Sequence, residues 1–319
     1  MTEAPNPARM THDPVAGLEG IVAATTKLSD VDGQNGVLIL QGKKIDDLAG
    51  KVPFETAVRH LWQNVQASES SALKAAFGQA RLTAFAVIPV LESASAKLTV
   101  YERMQLGLAA LVLSGDMPDA IAISGALPVF LAASHRIAKG LDPIAPDSSL
   151  ETATDLLRML TGTRPPADHA DALNRYLVTI LDHGLNASTF AARVIGSTQA
   201  DMKQAVLGAM GALSGPLHGG APGPVLDMID AIGRPEAAEA WIRDALERKE
   251  RLMGFGHRIY RTRDPRADVL KAGLRKLGPD NPKVRLAEEI EEAALAALRQ
   301  AKPDRPLDTN VEFYTAVLL

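Results

Sequence analysis

From Pro53 onward, apolar residues recur at three- and four-residue spacing, punctuated by short clusters of Gly, Pro, Asp and Ser. Side chains at that spacing share one face of an α-helix, so such a chain must bury helical stripes against one another. The spacing predicts an all-α fold. Phe54, Ala57, Val58, Leu61 and Val65 form one stripe behind Pro53, whose ring suits a first helical turn. Further helices are expected over 100–114, 120–137, 149–160, 168–181, 188–197, 202–213, 225–232, 236–251, 264–277 and 282–300, and 311–319 is a helix-like apolar run. Arg164-Pro165-Pro166 separates two of them and precedes a candidate N-cap at Asp168. The glutamates of 282–300 read as a solvated face. Only the N-terminus departs from this period: 21–25 and 37–40 are β-prone, and the Asn35-Gly36 pair between them favours a tight turn, which predicts a small hairpin.

With 46% hydrophobic and 23% charged residues, the chain has a globular balance, enough apolar material to offset the entropy of ordering it. The net charge of −4 comes without a dense Lys/Arg run, which argues against nucleic acid as a partner. Zero cysteines exclude disulfides, thiolate nucleophiles and thiolate metal sites, and suit the cytoplasm. Residues 1–14 are polar and proline-rich, unlike a secretory signal, and are expected to form a flexible arm over 1–16. The apolar stretches 104–113 and 120–133 fall short of the ~20 residues that cross a bilayer, so they are expected to be buried helices rather than membrane spans.

Two glycine-rich stretches interrupt the helical pattern, Ser214-Gly215-Pro216-Leu217-His218-Gly219-Gly220-Ala221 and Met253-Gly254-Phe255-Gly256-His257-Arg258. Each sets one histidine among residues that let backbone approach a ligand closely. Arg258, Arg261, Arg263 and Arg266 follow the second, and guanidinium forks suit carboxylates and phosphates. Asp264-Pro265 also reads as a helix start, so some of these charges equally decorate a first turn. His12, His60, His135 and His169 lie in an arm or in ordinary helical contexts and are assigned to surface or core. His183, within Asp182-His183-Gly184-Leu185-Asn186, stands between two apolar segments, where a helix end either faces a ligand or simply packs.

In order and spacing, Gly215 to Ala221 and Gly254 to His257 with Asp264-Pro265-Arg266 resemble the two signature segments of the citrate synthase family. The resemblance extends to Gly17-Leu18-Glu19-Gly20, Ser29 to Gly33, Asn186 to Arg193 and Thr309 to Tyr314, and so covers nearly the whole chain from Gly17. It implies a large helical domain over 1–219, a small one over 220–319, a homodimer, and metal-free condensation of acetyl-CoA with oxaloacetate to citrate and CoA, with no cofactor beyond the acetyl-CoA co-substrate.

By this resemblance Glu312, aspartate in many members, is the base that removes a methyl proton. His218 donates to the thioester oxygen, and His257 polarises the oxaloacetate carbonyl and protonates the alkoxide. His183 and Arg266 bind oxaloacetate, Ser188 supports the catalytic histidine, and Arg261 with Gly254, Phe255 and Gly256 contacts CoA. Ile180 stands where a second histidine is common and Gly184 where glutamate is common. Family members continue past the Glu312 segment through helices that return to the large domain and carry arginines to citrate carboxylates, a return the resemblance implies is absent here. Two alternatives stay open: a 2-methylcitrate synthase using propionyl-CoA, and a non-catalytic protein that binds CoA esters or pairs with a complete subunit.

Overall fold

A computed structural model of the chain describes residues 24–63, 70–215, 218–219, 222–257, 259–278, 281–303 and 307–318. The expected arm, the first half of the expected strand 21–25, Val65 and Arg258 lie outside the described residues. Three short strands, β1 (Ser29–Asp32), β2 (Val37–Leu40) and β3 (Lys43–Lys44), form an antiparallel sheet in that order. Fourteen helices are described after it: α1 (Phe54–Trp62), α2 (Ser70–Phe85), α3 (Ile88–Ser93), α4 (Val100–Ala110), α5 (Asp119–Ala138), α6 (Thr152–Thr161), α7 (Ala167–Thr179), α8 (Ala187–Gly196), α9 (Met202–Leu213), α10 (Pro222–Ile232), α11 (Ala238–Glu247), α12 (Pro265–Leu277), α13 (Pro282–Ala301) and α14 (Val311–Leu318).

The hairpin forms with a different first strand from the expected one. Ser29 pairs with Leu40 and Asp32 with Val37, whereas Thr25 lies outside any strand. The polar run Ser29–Asp32 wins because Asp32 builds the turn: Oδ1 accepts from Gln34 N at 3.1 Å and Asn35 N at 3.0 Å, while Oδ2 accepts from Asn35 Nδ2 at 2.7 Å. That turn sets the register, and β-propensity alone does not.

Most helix boundaries fall near the apolar period, and the exceptions have local causes. Asp168 is not the N-cap of α7; Pro166 holds that position, and Asp168 sits in the first turn, where its carboxylate suits the helix dipole. Helix α11 stops at Glu247 rather than near 251, because Lys249 takes a left-handed φ of 59° and Glu250 N bonds back to Ala245 O at 2.9 Å. Such an ending usually carries glycine, and a lysine there hides the stop. Helix α5, at 20 residues, is long and apolar enough to cross a membrane by length and composition, unlike the shorter stretch expected, yet half of it is buried against neighbouring helices.

Buried apolar side chains gather into clusters that position the site. One joins α10 to α14 with Leu252 and Phe255. Another surrounds α5 with Leu91, Leu108, Leu156 and Met210. A third packs Leu38 and Leu40 of β2 with Leu61 of α1, Val178 of α7 and Val269 of α12, so the hairpin rests directly on the helix that carries Arg266.

Candidate active site

The loop 252–264 enters from α11 and ends at Asp264, the N-cap of α12, with Pro265 at the first helical position. Its start is braced from the other side of the site. Phe255 bridges antiparallel to Thr309, Asn310 N donates to Gly254 O at 2.9 Å, and Gly256 N donates to Asp308 O at 2.7 Å. Gly254 has φ +84°, and a Cβ there would lie 2.8 Å from the Cβ of Phe313, so glycine is required both for conformation and for space. This bridging brings Glu312, at the start of α14, beside the loop of His257.

The hairpin turn pins the far half of the same loop. Arg261 N donates to Gly33 O at 2.8 Å, and a Cβ on Gly33 would fall 2.3 Å from Ile259 O. Ser29 Oγ donates to the Asp182 carboxylate, and Gly184 N donates to Ser29 Oγ at 3.0 Å, which fixes the turn carrying His183.

Within this frame His183, His257, Tyr260 and Arg266 form one cluster. The imidazoles of His183 and His257 meet edge to face at 5.4 Å between centroids, and the Tyr260 ring lies 5.5 and 4.9 Å from them respectively. His257 Nδ1 accepts from Ile259 N at 3.0 Å and Tyr260 N at 3.2 Å, so a neutral imidazole carries its proton on Nε2. Nε2 then stands 3.4 Å from Arg266 Nη2. Two donors cannot bond one another, so the pair marks a position suited to an oxygen acceptor. Burial, then the Arg266 charge, lowers the His257 pKa, with Asp264 opposing. For His183 burial, Arg266 and His257 together bring it down to about 3. Both rings are neutral near pH 7 and present N–H dipoles rather than charge.

Arg266 is itself held by Asp264, whose Oδ1 and Oδ2 accept from Nε at 3.1 Å and Nη2 at 2.9 Å. Asp264 Oδ2 also accepts from Val311 N at 3.1 Å, tying the guanidinium to the first turn of α14. The next residue is Glu312, whose backbone N donates to Asn310 Oδ1 at 3.0 Å while Asn310 Nδ2 donates to Gly256 O at 2.8 Å. Burial pushes the Glu312 carboxyl above its ordinary range, Arg266 opposes this, and Asp264 adds to it. A carboxylate poised this way is a better proton acceptor than an exposed one.

His218 is approached from α8. Its Nε2 lies 3.0 Å from Ser188 Oγ, and Ser188 Oγ lies 2.9 Å from Oδ1 of Asn186, the N-cap of α8. Asn186 Oδ1 can only accept, so Ser188 gives its proton there and turns an oxygen lone pair toward His218 Nε2.

The remaining site residues are placed as follows. Arg261 exposes its side chain, the Phe255 ring is buried against Phe313 at 5.2 Å between centroids, and Gly254 O and the Gly256 backbone are already bonded to Asn310 and Asp308. Glu291 of α13 corrects the reading of that helix's glutamates as solvated. It is 3% exposed and accepts from Arg263 Nη1 at 2.9 Å, Lys271 Nζ at 2.5 Å, Thr309 Oγ1 at 2.6 Å and Tyr314 OH at 2.6 Å. Tyr260, Asp264, Asn310 and Glu291 are the residues the sequence reading left without a role in the site. Only Asp264 carried a usable signal, as a helix start next to an arginine cluster. Among the described residues no cluster of His, Asp and Glu suits a metal ion.

A family model described as citrate synthase, C-terminal domain, matches residues 17–319. The chain is 38% identical over 318 residues to the putative citrate synthase 2 of Mycobacterium tuberculosis, covering 96% of this chain and 81% of that protein. It is 35% identical over 313 residues to the 2-methylcitrate synthase of the same organism, covering 93% and 79%. Among solved structures it is similar to the citrate synthase of Thermotoga maritima, with TM-score 0.84, 31% identity and coverage of 95% and 83%. It is also similar to the ternary complex of carboxymethyl coenzyme A and oxaloacetate with the citrate synthase of Thermoplasma acidophilum, with TM-score 0.82, 26% identity and the same coverage. The helical fold and these relatives define a condensing enzyme of the transferase class. The chain belongs to the citrate synthase family.

Proposed function

We propose that the enzyme condenses acetyl-CoA with oxaloacetate and hydrolyses the resulting thioester, releasing citrate and CoA. The observation that carries this reading is the meeting of His257 Nε2 and Arg266 Nη2 at 3.4 Å, two donors with room for one oxygen, beside a half-buried Glu312 whose pKa is raised.

In this mechanism Glu312 removes a proton from the thioester methyl group, and negative charge moves onto the thioester oxygen. His218, held beside Ser188 at its Nε2, donates a hydrogen bond to that oxygen. A preorganised donor of this kind is typically worth about 2.7–4 kcal/mol in the transition state. The enol carbon attacks the oxaloacetate carbonyl, whose oxygen takes the His257 Nε2 proton as it becomes the alcohol. Arg266 binds an oxaloacetate carboxylate and His183 donates a further bond. Arg261 and the segment 254–256 serve CoA. Water then cleaves citryl-CoA. Every step is proton transfer and carbonyl addition, so neither a metal nor a redox cofactor enters it.

Similarity to a 2-methylcitrate synthase at 35% identity keeps propionyl-CoA as the competing substrate. One methylene alters selectivity by only about 1–3 kcal/mol. CoA release measured with each thioester and oxaloacetate tests both readings: faster turnover of acetyl-CoA is expected, faster turnover of propionyl-CoA transfers the assignment to 2-methylcitrate, and no turnover by folded protein with either overturns the condensing role.

We further propose a homodimer joined through α8 and α9. Helix α8 buries none of its residues, and Val194, Met202 and Leu213 stand exposed along this pair. Exposed apolar side chains along a helix that buries nothing within its own chain suit an interface. Light scattering is expected to give twice the chain mass. We also read 220–319, with its own apolar cluster, as a small domain that closes over oxaloacetate.

A further inference from the structure

Tyr260 is 3% exposed, and its hydroxyl lies 3.1 Å from His183 Nε2. Among the described residues this nitrogen is the hydroxyl's one hydrogen-bond partner. A phenol has one proton to give, and an imidazole nitrogen is either a donor or an acceptor. With a proton on Nε2, the phenol O–H would be buried without an acceptor, an arrangement folded proteins avoid. With Nε2 bare, O–H and N pair, and the imidazole proton falls on Nδ1.

We infer that Tyr260 is a positioning residue that donates to His183 Nε2 and holds His183 as the Nδ1–H tautomer, leaving Nδ1–H as the group offered to a substrate oxygen. Naming that oxygen as one of oxaloacetate's rests on the condensing-enzyme reading; the tautomer rests on the geometry alone. His257 receives the opposite tautomer from the backbone, since its Nδ1 accepts from Ile259 N and Tyr260 N. Tyr260 thus sets both rings, one through its hydroxyl and the other through its amide. The charged and titratable groups around His183 are Arg266, His257 and Asp264, and with burial leading they keep it neutral, so its tautomer is the variable that matters. Among the described residues His183 Nδ1 has no hydrogen-bond partner, which leaves it available to a ligand.

Long-range proton–nitrogen correlation spectra of 15N-histidine-labelled enzyme test the assignment, with the His183 signals identified by their loss in His183→Gln. The wild type is expected to show a protonated Nδ1 and a bare Nε2 at His183. Tyr260→Phe keeps the ring packed against both imidazoles and removes the donor. In that variant the pattern is expected to move toward Nε2–H, and KM for oxaloacetate to rise about tenfold with kcat changed less. A wild-type His183 protonated on Nε2 overturns the inference without any variant having to fold, and so does an unchanged pattern in a folded Tyr260→Phe. Calorimetry with oxaloacetate separates the two readings: the expected tautomer in a wild type that binds no oxaloacetate defeats the condensing role and leaves the tautomer assignment standing.

Discussion

Asp264 holds Arg266 with both carboxylate oxygens, Oδ1 on Nε at 3.1 Å and Oδ2 on Nη2 at 2.9 Å, and the pair is almost wholly buried. The carboxylate also caps α12 and accepts the Val311 amide of α14, so one side chain aligns the guanidinium and the helix that begins one residue before Glu312. Asp264→Asn removes the charge and leaves Arg266 buried without a counter-ion, which typically costs about 3–5 kcal/mol. A large drop in Tm is expected, together with at least about tenfold weaker oxaloacetate binding from the misplaced fork. Calorimetry and thermal melting check the two effects separately. Arg266→Lys is expected to weaken binding while sparing the fold more, because a point charge cannot reproduce the fork.

Glu312 must be ionised to accept a proton. Because burial raises its pKa above the ordinary 4.5, the acidic limb of kcat/KM is expected at higher pH than an exposed glutamate would give. Activity falls as pH falls through that raised value. Glu312→Gln is expected to abolish the limb and lower kcat by ~10²–10⁴. A pH–rate profile with its acidic limb at or below 4.5 would contradict the assignment.

At Glu291 the sign is opposite. Burial pushes its pKa up, but bonds from Lys271, Thr309 and Tyr314 and the Arg263 charge outweigh it and bring it to about 2, against 4.5 ordinarily. The unfolded chain therefore binds the proton more readily. The contribution of Glu291 is complete above about pH 4.5 and is lost as pH falls toward about 2. Glu291→Gln is expected to cost about 3–5 kcal/mol at neutral pH and to flatten that part of the acid-unfolding curve, measured by denaturant titration at several pH values.

Gly33 touches the catalytic loop without sharing its chemistry. A Cβ there would meet Ile259 O at 2.3 Å, too close for backbone to ignore. Gly33→Ala is expected to cost about 1–3 kcal/mol through overpacking and to displace the loop of His257 and Tyr260. Loss of kcat/KM well beyond the stability change, about tenfold or more, is the expected kinetic result.

The apolar period from Pro53 onward determined the helical class, and the glycine loops pointed to His218 and His257, because both signals are local in the chain. Helices α2 and α3 and the true partner of β2 were not legible, since those segments are set by what they pack or pair with. Glu291 looked like one glutamate among several on α13. Only the tertiary structure distinguishes it, by turning that one position toward Arg263, Lys271, Thr309 and Tyr314. Tyr260 belongs to the same category, because a hydrogen bond across 77 positions to His183 leaves no trace in local spacing; Asp264 was legible as a helix start, but its bond across 47 positions to Val311 was not. Residue types and their order thus determined which chemistry the chain carries. Which nitrogen holds a proton and which carboxylate stays charged was decided by burial and by partners that meet only when the helices have packed.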